Sequence, residues 1–164
     1  MTLASQPVAI SDGEQDARQK RVEMIARRMG FVGTVEYQHL RTLSGGAQYG
    51  IGTSITADVL SVTARAFERD ADPQEFSLEA IIAHECGHQM VIRQSKIRSR
   101  LPVKLPLEAE EVLASLIGSL LVTEIKDRDD LIMKAVFDEL ACGVPETAAI
   151  PLAHDLRNVL ERLI

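Results

Sequence analysis

Two histidines four residues apart, His84 and His88, flank a glutamate in the run Ala83-His84-Glu85-Cys86-Gly87-His88. On a helix, residues i and i+4 lie one above the other, so both imidazoles can reach a single metal ion. Glu85 is then placed to hold a water molecule that the metal polarises and to take a proton from it. Burying three such polar groups without a metal or other partners is costly. Residue types and spacing thus point to metal-assisted chemistry, with His84 and His88 as ligands and Glu85 as general base.

The motif needs a helix beneath it, and the flanking sequence supplies one. In Asp72-Pro73-Gln74-Glu75, Asp72 suits a helix N-cap, Pro73 the first helical position and Glu75 a capping box. Phe76, Leu78, Ile81, Ile82, Cys86, Met90 and Ile92 then recur at roughly helical spacing, with no proline before Pro102. A long, largely buried helix is expected, with the motif in its third turn.

Catalytic zinc usually takes three protein ligands and leaves one position open. The long form of the motif, with a glycine and a third histidine downstream, is excluded because Val91 and Gln94 occupy those positions. Cys86 is the first cysteine of the chain, so no upstream thiolate is on offer, and the only downstream histidine is His154. Acids remain, on the segment Leu107-Glu108-Ala109-Glu110-Glu111-Val112-Leu113-Ala114-Ser115. Glu111, Ser115, Gly118 and Val122 fall on one helical stripe whose small residues let two helices approach closely. Glu111 heads that stripe and is the expected third ligand, with Glu108 the runner-up. For Glu108 and Glu110 the favoured role is the ordinary one of acids in a helix's first turn.

The 164 residues suit one domain, residues 1–164, and 46% hydrophobic residues suffice for a core. Aromatics are 4% with no tryptophan, so that core is aliphatic. A net charge of −6 argues against a nucleic-acid partner; the five basic residues between Arg93 and Lys104 read as a solvated loop. Two cysteines, Cys86 and Cys142, lack CxxC spacing and suggest no disulfide scaffold. The N-terminus lacks the pattern of a signal peptide, and the apolar run Val112 to Val122 is too short to span a bilayer. A soluble, cytoplasmic protein without a membrane partner is expected; its oligomeric state is not legible.

Helices are expected near residues 11–29, 107–126, 129–142 and 152–163, with Gly143 and Pro145 separating the last two. Strands are expected near 34–41, from about 49, and at 58–63, with a short helical turn at 64–69. The fold class is α+β: a small antiparallel or mixed sheet packed on the long helix bearing HExxH, followed by a helical C-terminal half.

The stretch from about Asp58 to Leu121 resembles the core of gluzincin metallopeptidases. In that class a strand precedes the HExxH helix, and a glutamate from a following helix completes the zinc site. The strand Val59-Leu60-Ser61-Val62-Thr63 followed by Ile81-Ile82-Ala83-His84-Glu85-Cys86-Gly87-His88 resembles HtpX-type peptidases without their membrane helices. The compact size is similar to ImmA/IrrE-type proteins. The family often carries Asp or Asn four residues after its ligand glutamate; here that residue is Ser115. The resemblance implies a zinc-dependent peptidase acting on a peptide or protein substrate. Zn2+ would be held by His84, His88 and Glu111, with Glu85 as general base. The alternative is a catalytically weak zincin scaffold serving as a regulatory or binding module. The strand Val59 to Thr63 is the expected edge for pairing with an extended substrate. For the group that stabilises the oxyanion, His154, Tyr37, Tyr49 and His39 all stay open.

Overall fold

Ser11 starts the first helix: its Oγ accepts from the Glu14 N–H at 3.1 Å, satisfying one of the free amides of α1 (Asp12–Arg28). The computed structural model describes residues 6–140 and 144–164. Cys142 and Gly143 lie outside the described residues, as does the far end of the helix expected near 129–142. Val22, Ile25 and Ala26 form the buried face of α1, which packs on strand β1 (Thr34–Gln38).

The other strands are β2 (Ala47–Gly50) and β3 (Val59–Thr63). They form a mixed sheet of order β1-β3-β2. β3 runs parallel to β1, with Thr34 opposite Val59, and antiparallel to β2, with Ala47 opposite Val62. The expectation that β3 is a free edge is therefore corrected. Its backbone groups are taken up on both sides, and the edges are β1 and β2. The turn before β2 requires glycine: Gly46 has φ +96°, and a Cβ there would stand 2.7 Å from Ala66 Cα.

A short helix, α2 (Ala64–Asp70), leads to the motif helix α3 (Leu78–Arg93). The expected start at Asp72-Pro73 is not used. Asp72 instead closes a turn, accepting from the Gln74 N–H at 2.9 Å, and Glu75 pairs with Arg69 at 3.1 Å. Ser77 caps α3, its Oγ accepting from the Ala80 N–H at 3.1 Å, and Asp70 Oδ1 accepts from the Leu78 N–H at 2.8 Å. His84 is consequently the seventh residue of the helix, in its second turn rather than its third.

The chain divides into two compact units, the first up to Ile82 and the second from Ala83 onward, with the division inside α3. The second unit adds α4 (Ser95–Arg98), α5 (Leu107–Leu121), α6 (Ile125–Lys134), a π-helical turn (Ala135–Leu140) and α7 (Glu146–Leu163). Its core gathers Val91, Ile97, Leu116, Ile117, Ala135, Val136, Ala149 and Ala153. α7 starts six residues earlier than expected, behind Pro145, and carries Pro151 within it. The described residues thus make an α+β fold of seven α-helices and a three-stranded mixed sheet. Among them, no helix is long and apolar enough to cross a membrane.

Candidate metal centre

Two glycines bring the main chains of α3 and α5 together. A Cβ on Gly118 would stand 3.0 Å from the Ala83 carbonyl carbon and 3.1 Å from His84 N. A Cβ on Gly87 would stand 2.9 Å from Ala114 Cα and would collide with the Ala114 carbonyl oxygen. Gly118 belongs to the stripe expected to permit this approach; Gly87, within the motif itself, is its counterpart on α3.

At the crossing three side chains converge. His84 Nε2 lies 2.9 Å from Glu111 Oε2, and His88 Nε2 lies 3.2 Å from Glu111 Oε1. The two Nε2 atoms are 3.1 Å apart, and the rings meet edge to face with centroids 4.8 Å apart. Both histidines are buried and Glu111 is partly so. These three form a group that could hold a metal ion.

The outward ring nitrogens are also occupied. His88 Nδ1 lies 2.9 Å from Glu110 Oε1, and His84 Nδ1 lies 3.0 Å from Ser115 Oγ. An ionised carboxylate only accepts hydrogen bonds, so Glu110 requires the proton of neutral His88 on Nδ1 and turns the Nε2 lone pair inward. Ser115 can do the same for His84, because a hydroxyl accepts as readily as it donates. With both protons outward, two lone pairs and a carboxylate face one another, an arrangement that calls for a cation.

The spacing fits one. Bonds of 2.0–2.1 Å to a tetrahedral ion put ligand atoms about 3.3–3.4 Å apart. The two imidazole nitrogens are 3.1 Å apart and each lies 2.9–3.2 Å from a different Glu111 oxygen; with one ligand atom taken from each residue, the three lie within 4.8 Å of one another. The donor set, two imidazoles and one carboxylate, is one that zinc accepts at sites with an open position.

When His84 carries a proton on Nε2 instead, its hydrogen bond holds the Glu111 carboxyl down at about 2, against an ordinary value of 4.5. Burial opposes that shift, and the charges of His84, His88 and Lys134 reinforce it. In that protonation state Glu111 is an anion at neutral pH. Cys86 takes no part: burial, followed by the nearby Glu85 charge, pushes its thiol up to about 12.

Of the sequence-expected residues, His84, His88 and Glu111 come together. Glu85 is partly buried on α3 and is not in that group; Glu108 is exposed. Sequence reading missed the partnership of Glu110 with His88. An acid in the first turn of a helix carries no mark distinguishing it from a dipole-favoured surface residue. Among the residues considered for an oxyanion, Tyr37 hydrogen-bonds Arg18 and His39, while Tyr49 donates to Asp58 at 2.6 Å. His39 Nε2 lies 2.6 Å from the Val8 carbonyl, and His154 is exposed on α7.

Comparison with known protein families, curated proteins and solved structures finds no match. The functional reading therefore rests on the residues at the crossing of α3 and α5.

Proposed function

We propose that this protein is a zinc-dependent peptidase of gluzincin type, with His84, His88 and Glu111 as the metal ligands and a peptide or protein as substrate. The convergence of both Nε2 atoms and the Glu111 carboxylate within 3.2 Å of one another carries the reading. Zinc bound there would supply Lewis acidity, lowering the pKa of a water molecule toward neutrality and polarising a peptide carbonyl.

The remaining steps belong to the chain. Glu85 accepts a proton from the attacking water at its carboxylate and passes it to the amine nitrogen that leaves. Glu110 and Ser115 fix the tautomer and ring plane of His88 and His84, so that both lone pairs face inward. Gly87 and Gly118 set the distance between the two helices that carry the donors.

The test is cleavage of a mixed peptide pool by zinc-loaded protein. The reading expects cleavage that a chelator abolishes and that Glu85→Gln removes. Stoichiometric zinc with no cleavage would favour the other reading, a zincin scaffold that binds without cutting. The neutral Ser115, standing where the resembled family often has Asp or Asn, is the observation on that side.

A further inference from the structure

One feature of the chain is not absorbed by the metal centre: its basic segment. From Cys86 to Leu107 there is no acidic residue, while Arg93, Lys96, Arg98, Arg100 and Lys104 contribute five positive charges. The chain as a whole carries −6, so the remainder carries −11 by difference (−6 − 5). In the first unit every arginine from Arg18 to Arg69 forms an ion pair. By contrast, the exposed side chains of Lys96, Arg100 and Lys104 have no partner among the described residues.

This segment is held in place rather than solvated all round. Ile97 is buried in the core of the second unit. Gln94 caps α4, its Oε1 accepting from the Ile97 N–H at 2.9 Å, and its Nε2 donates to the Leu163 carbonyl at 2.9 Å. Arg98 donates to the Val103 carbonyl at 2.9 Å. The cations are thus presented on a fixed frame, which lowers the ordering cost of binding.

Two large apolar side chains accompany them. Val103 is 91% exposed and Leu107 67% exposed. Leu107 is one helical turn before Glu111 on the same face of α5, so the apolar surface runs up to the metal ligands.

We infer that the segment from Lys96 to Leu107 is a docking surface for an extended substrate segment bearing both acidic and apolar side chains. This rests on the peptidase reading and names its substrate class. Carboxylates of the substrate meet Lys96, Arg100 and Lys104. Apolar side chains cover Val103 and Leu107, and the chain is led toward Glu111. Charge complementarity selects this occupant: the stretch from Cys86 to Leu107 carries five positive charges and no acid, against a net −11 on the rest of the chain (−6 − 5).

The experiment measures binding rather than cleavage. A fluorescein-labelled peptide of mixed Glu and Leu, and its counterpart with Lys for Glu, are titrated with zinc-loaded full-length Glu85→Gln protein, and anisotropy is read. The acidic peptide should bind the more tightly, and raising ionic strength from about 0.02 to about 0.5 M should weaken it strongly. The combined variant Lys96→Glu, Arg100→Glu, Lys104→Glu should lose about tenfold or more in affinity with an unchanged melting temperature, since all three side chains are exposed. Val103→Ser with Leu107→Ser should lose about tenfold at constant salt dependence. Equal binding of both peptides, or no effect of the charge reversals, overturns the inference. So does tighter binding of anionic lipid vesicles or single-stranded DNA at the same charge concentration. Acidic-peptide binding without cleavage by the wild type leaves the surface standing and removes the peptidase reading. Cleavage with no preference for acidic peptides does the reverse.

Discussion

Gly87 of the motif helix lies directly against Ala114 of α5, so close that a Cβ would stand 2.9 Å from Ala114 Cα. Backbone cannot yield to that contact as a flexible side chain could. Gly87→Ala gains about 1 kcal/mol of helix propensity and incurs about 1–3 kcal/mol of overpacking. The clash is expected to win, parting the helices and the ligands they carry. Gly118→Ala, whose Cβ would meet backbone at 3.0–3.1 Å, should come out near neutral. Thermal melting and zinc affinity measured on both variants check this. Equal values for Gly87→Ala and wild type would refute the close-contact argument.

Removal of a ligand should remove the metal. One zinc per chain is expected by mass spectrometry, with His84→Ala and His88→Ala each losing it. Glu111→Gln should weaken zinc more than Glu108→Gln, because Glu111 is 2.9 Å from His84 Nε2 while Glu108 is exposed. If Glu108→Gln has the larger effect, the third ligand has been misassigned.

Glu85→Gln should keep zinc, since Glu85 is outside the group of possible metal donors. Loss of a general base costs about 10²- to 10⁴-fold in turnover. Unchanged turnover on a peptide found to be cleaved would exclude Glu85 from the chemistry.

Glu110 and Ser115 should differ in their hold on the metal. A carboxylate behind His88 makes that imidazole a stronger donor than a hydroxyl makes His84. Removing a partner of this kind typically costs about 10- to 100-fold in metal affinity. Glu110→Ala should lie at the upper end, Ser115→Ala at the lower, and Glu110→Gln between them, because the amide still accepts from Nδ1. Chelator competition on the four proteins gives the order; the reverse ranking would deny Glu110 this role.

Zinc at 100 times its dissociation constant adds about 2.7 kcal/mol to stability. For a chain of this size that is roughly 5–10 °C in melting temperature. A chelator should lower the melting temperature of wild type by that amount and leave His84→Ala unmoved. A chelator shift that persists in His84→Ala would place the metal elsewhere.

Much of the candidate metal centre was legible because it depends on local geometry. The i, i+4 spacing of His84 and His88 and the stripe from Glu111 to Gly118 follow from helical periodicity alone. Glu110 was not legible, since only the tertiary meeting of α3 and α5 brings it to His88. The start of α3 was misread because two sets of cap signals compete. Asp72-Pro73 with Glu75 is the stronger pattern locally, but Arg69 takes Glu75, and Asp70 and Ser77 take the helix amides. The strands were located from alternation, but their order was not, because the pairing of Thr34 with Val59 reaches across β2, the strand between them in sequence, which no local pattern encodes. The helix expected near 152–163 starts at Glu146 instead: Pro151 sits within α7, where a buried apolar face with Ala149 and Ala153 overrides it.

The burial of Cys86 bears on how the protein meets oxidants. With its thiol pushed up to about 12 by burial, Cys86 stays protonated at pH 7. The thiolate is the form that peroxides, alkylating reagents and stray soft metals attack. Although it lies midway between the two histidines in sequence, this sulfur is chemically silent, and oxidants that spare imidazoles should leave the centre intact.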